Sequence, residues 1–225
     1  VLVDVNLDLY EKENLVILGK SGSGKSVLIK CMVGLLTPDS GSVEVLGYDV
    51  PNLSEAEMDI YRAKVGFCFQ GSALYDSMTI RENLEFPLKR NLKIFDQPTL
   101  DERVISALSE VGLEHAIDKM PSEVSGGMKK RIGVARTLIL KPEIMLYDEP
   151  TAGLDPVTAA EINELILETR DRHHTASIII THDISSARDT ADRIIALFDG
   201  VNKLEGTFEQ LKSNEHEELA PFFNY

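Results

Sequence analysis

The amino-acid sequence predicts an α/β fold with a mainly parallel sheet and an inserted helical region. Short, nearly continuous apolar runs recur along the chain, as in strands that are buried on both faces. Helical patterns separate most of these runs, which is typical of parallel strands joined by helical crossovers. Between positions 71 and 141 only helical patterns remain. We therefore expect one domain over residues 1–225, with a core of residues 1–70 and 142–225 and a helical subdomain at 71–141.

The predicted strands begin at the amino terminus. The first nine residues (VLVDVNLDL) alternate apolar and polar side chains, which predicts a half-exposed strand in an N-terminal antiparallel β portion. Leu15–Leu18 is a solid apolar run and predicts a buried strand. Further strands are predicted at Val43–Leu46, Val65–Phe69, Ile144–Tyr147, Ser177–Ile180 and Ile194–Phe198.

The predicted helices follow from apolar spacing and from residues that start or stop helices. Thr79 and Thr99 stand where N-caps are expected, and Gly112 and Pro142 stand where helices end. The helical patterns cover Ser26–Leu36, Thr79–Phe86, Leu100–Val111 and Met128–Ile139.

Composition and charge narrow the class of protein. A chain of 225 residues, 43% of them apolar, can bury a full core. Its 37 acidic residues outnumber 23 Lys and Arg residues, and the formal charge of −14 disfavours nucleic acid as a partner. No apolar run reaches the roughly 18 residues that span a bilayer. Cys31 and Cys68 lie in apolar stretches without metal or redox spacing, which favours buried, reduced thiols and a cytoplasmic location.

One glycine-rich segment carries specific chemistry. Residues 19–26 (GKSGSGKS) follow a predicted buried strand and open a predicted helix, the context of a phosphate-binding loop. Glycines let backbone N–H groups face the phosphates, and the helix N terminus adds positive potential. Lys25 is suited to neutralise the β- and γ-phosphates, and the Ser26 hydroxyl to bind Mg²⁺. A glycine-rich turn that matches by chance is the weaker interpretation.

Two further predicted strands end in polar residues. Asp148 and Glu149 follow IMLY, and His182 follows SIIIT. Asp148 is suited to hold Mg²⁺, and Glu149 to accept the proton of an attacking water, although such an acidic pair can also be a solvated turn. His182 could fix the attacking water near the γ-phosphate, but a single histidine is more often structural.

A second anion-binding helix start is predicted in VSGGMKKR, residues 124–131. Ser125 is suited to cap the helix, and Gly126 and Gly127 leave its first N–H groups unobstructed. A plain helix cap is the alternative interpretation. Two phosphate-binding helix starts in one chain suggest that two chains share nucleotides, each closing the other's site.

Together these motifs resemble those of the ATP-binding-cassette (ABC) ATPases, which have a P-loop NTPase (RecA-like) core. The resemblance covers almost the whole chain and adds Gln70 after a strand (FCFQ) and the loop AGLDP at 152–156. It implies an ATPase that uses ATP and Mg²⁺, with Glu149 and His182 as catalytic residues and Ser26, Gln70 and Asp148 at the metal. The nucleotide-binding residues that it implies are Gly19, Lys20, Ser21, Gly22, Ser23, Gly24, Lys25, Ser26, Val27, Gln70, Ser125, Gly126, Gly127, Met128 and Asp155.

The resemblance also implies a head-to-tail homodimer that sandwiches two ATP molecules between the phosphate loop of one subunit and the SGG segment of the other. Gln70 would then sense the bound partner, and Asp155 would link the two sites. Met128 stands where the family usually has glutamine, which removes a side-chain hydrogen bond but leaves the helix N–H groups. The family stacks adenine on an upstream aromatic residue, and Tyr10 lies too close to the phosphate loop to take that role.

Two stretches narrow the resemblance. Residues 69–88 and 111–136 resemble the ATPases of Mla-type phospholipid transporters, which typically also carry SGGM. This resemblance implies an integral membrane permease and a lipid-binding MCE protein as partners, and a peripheral position on the cytoplasmic face of the inner membrane. The side chains that could form a groove for a permease helix, or equally the core of the helical subdomain, are Leu74, Tyr75, Met78 and Phe86.

Other functions remain open at the level of sequence. A soluble ABC ATPase for iron–sulfur assembly fits the motifs, although the SGGM context favours transport. Chromosome-type ABC ATPases are excluded because their long coiled-coil insertion does not fit between the phosphate loop and the SGGM segment. An adaptor that binds ATP but barely hydrolyses it is disfavoured, since Glu149 and His182 are both present.

Overall fold

The structure is a computed structural model that describes residues 1–214 and 216–223. Its strands are β1 (Asn14–Leu18), β2 (Glu44–Val45), β3 (Tyr48–Asp49), β4 (Val65–Cys68), β5 (Ile144–Asp148), β6 (Ala176–Thr181), β7 (Arg193–Phe198) and β8 (Val201–Gly206). Its helices are α1 (Lys25–Met32), α2 (Glu55–Lys64), α3 (Ile80–Asn91), α4 (Gln97–Glu110), α5 (Gly126–Leu138), α6 (Pro156–His173), α7 (Ile184–Thr190), α8 (Phe208–Lys212) and α9 (Ala220–Phe223).

The main sheet has six strands in the order β4-β5-β6-β1-β7-β8. The first five strands in this order are parallel, and β8 pairs with β7 in the antiparallel direction. Helices cover both faces of the sheet. This arrangement confirms the predicted α/β class with a mainly parallel sheet.

The core consists of two apolar clusters, one on each face of the sheet. Alternate residues of β1 divide between them, so that Val16 and Leu18 pack with α3 to α7, whereas Leu15 and Ile17 pack with α1 and α2. Because both faces are covered, β1 has no polar face and reads as a continuous apolar run. The predicted strands at 15–18, 65–69, 144–147, 177–180 and 194–198 are all present to within a residue or two at either end.

The strand predicted over the first nine residues is wrong. The segment makes one isolated parallel bridge, between Asp4 and Val201. The Asn202 side chain replaces further ladder hydrogen bonds, since its amide oxygen accepts from the Asn6 N–H at 3.0 Å and its amide nitrogen donates to the Asn6 carbonyl at 2.8 Å. Four apolar side chains of the segment, Leu2, Val5, Leu7 and Leu9, still pack against the core, whereas Val1 and Val3 are exposed. The alternation therefore reflected burial rather than strand pairing.

The antiparallel β portion is the small sheet of β2 and β3, in which Val45 pairs with Tyr48. β2 covers only two of the four residues predicted as a strand at 43–46. The helix predicted at 26–36 is likewise shorter, because α1 ends at Met32 and Gly34 follows with a φ of 65°.

Between β4 and β5 the chain forms α3, α4 and α5 and no strand, and all of this stretch is described. Thr79 caps α3, as predicted, in a reciprocal capping box with Glu82. The cap predicted at Thr99 is wrong: Asp96 caps α4, and its carboxylate accepts from the Thr99 N–H at 3.2 Å. The division of the chain at residues 71 and 141 stays a prediction. Among the described helices, none is long and apolar enough to cross a bilayer.

The two cysteines are free thiols, as predicted, although Cys68 is half-buried rather than fully buried. Cys31 is buried in the α1 layer. Cys68 donates to the Thr137 hydroxyl at 3.4 Å, and burial raises the pKa of its thiol to about 11. Burial also raises the pKa of the Cys31 thiol, so both groups are protonated at neutral pH.

Candidate nucleotide-binding site

Four neighbouring strands bring part of the predicted site together. β4, β5, β6 and β1 are adjacent and parallel, so their carboxyl ends meet at one edge of the sheet, where α/β proteins bind ligands. Leu18 lies opposite Thr181, and Asp148 lies opposite Ile180. The loop after β1, the acidic pair at the end of β5 and the histidine after β6 are therefore neighbours in space.

The glycine-rich loop at 19–26 surrounds the Lys25 side chain. The Lys25 ammonium donates to the carbonyls of Gly19 at 2.6 Å and Lys20 at 3.0 Å. Gly24, the N-cap of α1, has a φ of 102°, which side chains rarely tolerate. A Cβ at Gly19 would lie 2.6 Å from the carbonyl oxygen of Leu197, so that position also requires glycine.

The remaining residues of the loop at 19–26 form its exposed part and its connection to α1. The Ser23 hydroxyl is buried and has no hydrogen-bond partner in the part of the chain that the structure describes. The other predicted nucleotide-binding residues here are Lys20, Ser21 and Gly22, which are exposed, and Val27, which is half-buried in the first turn of α1.

Burial alters the electrostatics of the charged groups in the site. The Lys25 ammonium is 3.7 Å from the Glu149 carboxylate. Desolvation lowers the pKa of Lys25, and the attraction of the two acids opposes this shift. Desolvation raises the pKa of Asp148, although the Ser26 hydroxyl donates to its carboxylate at 3.2 Å and counteracts the shift.

Glu149 is fixed through both its backbone and its carboxylate. Its φ of 48° is in the left-handed region, and its N–H donates to the Ile180 carbonyl at 2.9 Å. The carboxylate lies 2.9 Å from His182 Nδ1 and accepts a weaker hydrogen bond from the Thr181 hydroxyl at 3.4 Å. The structure thus joins the two predicted catalytic residues directly, and Thr181 is a contact that the sequence analysis missed.

These groups fit a nucleoside triphosphate and Mg²⁺. The buried Ser23 hydroxyl and the Lys25 ammonium are donors suited to phosphate oxygens. Ser26 and Asp148 bring together two oxygen ligands of the kind that Mg²⁺ prefers. Gln70, the third predicted metal ligand, is exposed, and within residues 1–214 and 216–223 its side chain makes no hydrogen bond to this group.

The SGGM segment forms a separate helix start. Ser125 caps α5, as predicted, and its hydroxyl accepts from the Met128 N–H at 3.2 Å. A Cβ at Gly127 would lie 2.5 Å from the Thr158 methyl group, and the Thr158 hydroxyl donates to the Asp155 carboxylate at 2.6 Å. The segments 125–128 and 152–156 are therefore adjacent. No hydrogen bond or ion pair joins them to the loop at 19–26 in the described ranges, 1–214 and 216–223.

Exposure distinguishes the residues of this second helix start. Ser125, Gly126 and Asp155 are exposed, whereas Met128 is half-buried and packs against the core cluster of α3 to α7. The methionine therefore contributes apolar packing where a glutamine would offer a polar side chain.

Two basic side chains of α5 hold the backbone of the site, and the sequence analysis identified neither. Lys130 donates to the Gln70 carbonyl and, at 3.2 Å, to the Glu149 carbonyl. Arg136 donates to the Ala73 carbonyl at 2.6 Å. Because every residue carries a backbone carbonyl, the sequence gives no signal for these contacts.

A central parallel strand that ends in a glycine-rich loop, with a lysine, a serine and an acidic pair at the same sheet edge, defines a P-loop nucleotide-binding domain. The family model described as ABC transporter matches residues 2–152 of this chain. The chain therefore belongs to the ABC transporter family, as an ATP-binding domain.

Curated relatives agree with this assignment. The chain is 38% identical over 221 residues to the probable ribonucleotide transport ATP-binding protein mkl of Mycobacterium leprae, covering 98% of this chain and 63% of that protein. It is 36% identical over 219 residues to Protein TRIGALACTOSYLDIACYLGLYCEROL 3, chloroplastic, of Arabidopsis thaliana, covering 89% and 62%. It is 36% identical over 225 residues to the glutamine transport ATP-binding protein GlnQ of Geobacillus stearothermophilus, covering 99% and 91%.

The first two of these relatives are longer than this chain, which spans about three fifths of their length. Among solved structures, the chain resembles the dimeric post-hydrolysis state of the ATP-binding cassette MJ0796 bound to ADP and Pi. The TM-score is 0.84 at 33% identity, covering 92% of this chain and 90% of that one.

Proposed function

We propose that this chain is the ATP-hydrolysing motor subunit of a membrane transporter. The main support for this proposal is the contact between the two predicted catalytic residues. The Glu149 carboxylate lies 2.9 Å from His182 Nδ1 and 3.7 Å from the Lys25 ammonium. A general base beside a phosphate-binding lysine is what hydrolysis of a phosphoanhydride requires. Membership of the ABC transporter family supports a role in transport.

In the proposed mechanism each residue has one task. Lys25 and the N–H groups of the loop at 19–26 bind the phosphates. Ser26 and Asp148 would hold Mg²⁺, which supplies positive charge to the phosphates when bound. The Glu149 carboxylate accepts the proton of the attacking water, and His182 orients this carboxylate through the 2.9 Å contact.

The proposal includes a head-to-tail dimer. The capped helix start at Ser125 is exposed and lies beside Asp155, which is also exposed. A second copy can therefore present this surface to the nucleotide held by the loop at 19–26. The relative bound to ADP and Pi is described as dimeric, which supports this arrangement. ATP drives closure because it binds the closed pair better than the open one.

A groove between α3, α5 and the edge strand β4 is the proposed docking surface for the permease. The cavity has a volume of about 530 Å³ and is lined mainly by apolar residues, with Arg62 and Arg136 also in its lining. The ring centroids of Tyr75 and Phe86 in this lining are 5.1 Å apart. Of the other two candidates, Leu74 packs against the core and Met78 is half-buried outside the groove lining. The chain would then be peripheral on the cytoplasmic face of the membrane.

The finer proposal is that the transporter moves phospholipids together with an MCE-type protein. Its support is the resemblance of residues 69–88 and 111–136, including SGGM, to the Mla-type ATPases. The name of one relative contains that of a glycolipid, whereas others are named for ribonucleotide or glutamine transport.

The docking proposal is tested by affinity purification of the chain together with a co-expressed candidate permease. We expect Tyr75→Asp to reduce the amount of permease recovered, because an apolar ring that would contact the permease is replaced by a hydrated carboxylate. Phe95→Asp is the matched control, since Phe95 is 67% exposed and lies outside the groove. Equal recovery with both variants would contradict this docking surface, and a recovered complex without bound phospholipid would count against the lipid proposal.

The hydrolytic role is tested by steady-state ATP turnover. We expect Mg²⁺-dependent hydrolysis by the wild type and a loss of about 10²- to 10⁴-fold in Glu149→Gln, with ATP affinity retained. Glu164→Gln, on the exposed side of α6, is the matched control and should behave as wild type. Wild-type turnover in Glu149→Gln would remove Glu149 from its role, and a wild type without hydrolysis would reject the motor proposal.

A further inference from the structure

Lys130 contacts two backbone segments of the proposed ATP site at once. It lies early in α5, five residues after Ser125, and is half-buried. Its ammonium donates to the carbonyl of Gln70, in the loop after β4, and to that of Glu149, directly after β5. These strands are neighbours in the sheet, with Cys68 opposite Tyr147. One side chain therefore links the two loops to the helix that begins at the SGGM segment.

Lys130 and Arg136, which also lies in α5, donate hydrogen bonds to segments with unfavourable backbone conformations. Glu149 has a φ of 48°, and Ser72 and Ala73 have φ values of 62° and 47°. Such conformations persist in residues other than glycine only where the surroundings hold them. Arg136 donates to the Ala73 carbonyl at 2.6 Å, so α5 anchors both strained segments through cationic donors.

Through these contacts, a movement of α5 can change the position of Glu149, the proposed general base. The amino end of α5 is the exposed helix start that, in the proposed function, binds the nucleotide of the second subunit. The carbonyl carbon and Cβ of Glu149 are bonded to the same Cα, so a displacement of this backbone position also displaces the carboxylate. A shift of about 1 Å in a catalytic group can change the rate by about 10²-fold.

We propose that Lys130 is a positioning residue that transmits the position of α5 to Glu149 and to the Gln70 loop of its own chain. This inference rests on the proposed function, because it assigns to Lys130 the coupling between the nucleotide bound at one SGGM segment and hydrolysis in the opposite site. Lys130 does not contact the reacting atoms and acts only through the two carbonyls.

The first test measures turnover and ATP binding in the full chain. We expect Lys130→Met to lower kcat by about 10- to 100-fold, while the KM for ATP changes little, because the phosphate loop is untouched. Lys130→Arg, which keeps a cationic donor, should restore most of the rate. Lys129→Met is the matched control, because it removes the same charge one residue away. Within residues 1–214 and 216–223 the Lys129 side chain makes no hydrogen bond. Lys130→Gln provides a second variant if the methionine variant is poorly folded.

The second test needs no hydrolysis. Amide hydrogen exchange of the nucleotide-free protein should be about tenfold faster over residues 69–73 in Lys130→Met than in Lys129→Met, at matched thermal midpoints. Wild-type kcat together with unchanged exchange in Lys130→Met would overturn the inference, as would equal losses of kcat in the two variants. If the wild type hydrolyses no ATP, the proposed function fails, and the exchange comparison alone then decides whether Lys130 positions these loops.

Discussion

The buried Asp148 carboxylate lowers the stability of the folded chain when it is charged. Only 9% of its surface is exposed, and burial together with the neighbouring Glu149 carboxylate raises its pKa. The Ser26 hydroxyl offsets this effect only in part. The charged form is therefore unfavourable in the folded chain, although it is the form that Mg²⁺ binding needs.

We expect Asp148→Asn to raise the thermal midpoint of the nucleotide-free protein at neutral pH while weakening Mg²⁺-dependent ATP binding. Because folding raises the pKa of Asp148, the wild type is free of this destabilisation below the unfolded pKa of about 3.9 and loses stability as the pH rises through the folded pKa. The advantage of the variant should therefore grow with pH. Thermal unfolding from pH 4 to pH 8 measures it, with Asp59→Asn on the exposed side of α2 as control. A lower midpoint in Asp148→Asn at every pH would contradict this account.

Lys25 is the residue proposed to bind the phosphates directly through its positive charge. Its ammonium is buried among two loop carbonyls and the Glu149 carboxylate. We expect Lys25→Ala to weaken ATP binding at least about tenfold, because a charge-assisted contact to the phosphates is lost. Equilibrium binding of a fluorescent ATP analogue measures this loss. Lys30→Ala, on the exposed face of the same helix, should bind normally; unchanged affinity in Lys25→Ala would refute the phosphate-loop assignment.

At the scale of elements, the capped start of α5 has both a structural and a proposed functional role. Ser125→Ala removes the hydroxyl that accepts from the Met128 N–H, and loss of such a cap costs about 0.5–2 kcal/mol. Thr79→Ala removes the equivalent cap of α3 and should cost about the same. We expect only Ser125→Ala to weaken ATP-dependent dimerisation as well, because only this helix start faces the second subunit in the proposal. Equal dimerisation of the two variants, measured by analytical ultracentrifugation, would leave Ser125 with a capping role alone.

The sequence predicted elements well where burial determined the pattern. The strands β1, β4, β5, β6 and β7 lie between helical layers, so their apolar runs identified them directly. The strand predicted over the first nine residues was wrong because an extended segment that packs on the core shows the same alternation without pairing. Here the Asn202 side chain replaces the backbone hydrogen bonds of a strand partner. α2 was not located because Tyr61 is its only buried residue, and the Ser54–Glu57 capping box alone marks its start.

The parts of the candidate site that consist of side chains could be predicted from the sequence. Lys25 and Ser26 were predicted from the glycine-rich loop, and Asp148, Glu149 and His182 from the ends of strands. The parallel sheet brings these five residues together at one edge. Contacts to backbone carbonyls, such as those of Lys130, depend on the packing of a helix against two loops. No residue pattern records that packing, so only the structure reveals it.

At the scale of the whole molecule, the two helix starts that are proposed to bind phosphate occupy separate parts of one chain. The loop at 19–26 contacts the ends of β5 and β6, whereas the start of α5 lies beside the loop at 152–156. If both helix starts bind one nucleotide, as proposed, a second copy must supply one of them. Phosphate binding and dimer closure are then one event, which is the central claim of the proposed motor.

Determination of the solution mass of Glu149→Gln with and without ATP and Mg²⁺ tests this claim most directly. Because this variant should bind ATP without turning it over, we expect a monomer without nucleotide and a dimer with ATP, and a return to monomer when ADP replaces ATP. Lys25→Ala in the same background should remain monomeric at the same ATP concentration. A monomer that is saturated with ATP would contradict the account, because it would show that the nucleotide does not bring two copies together.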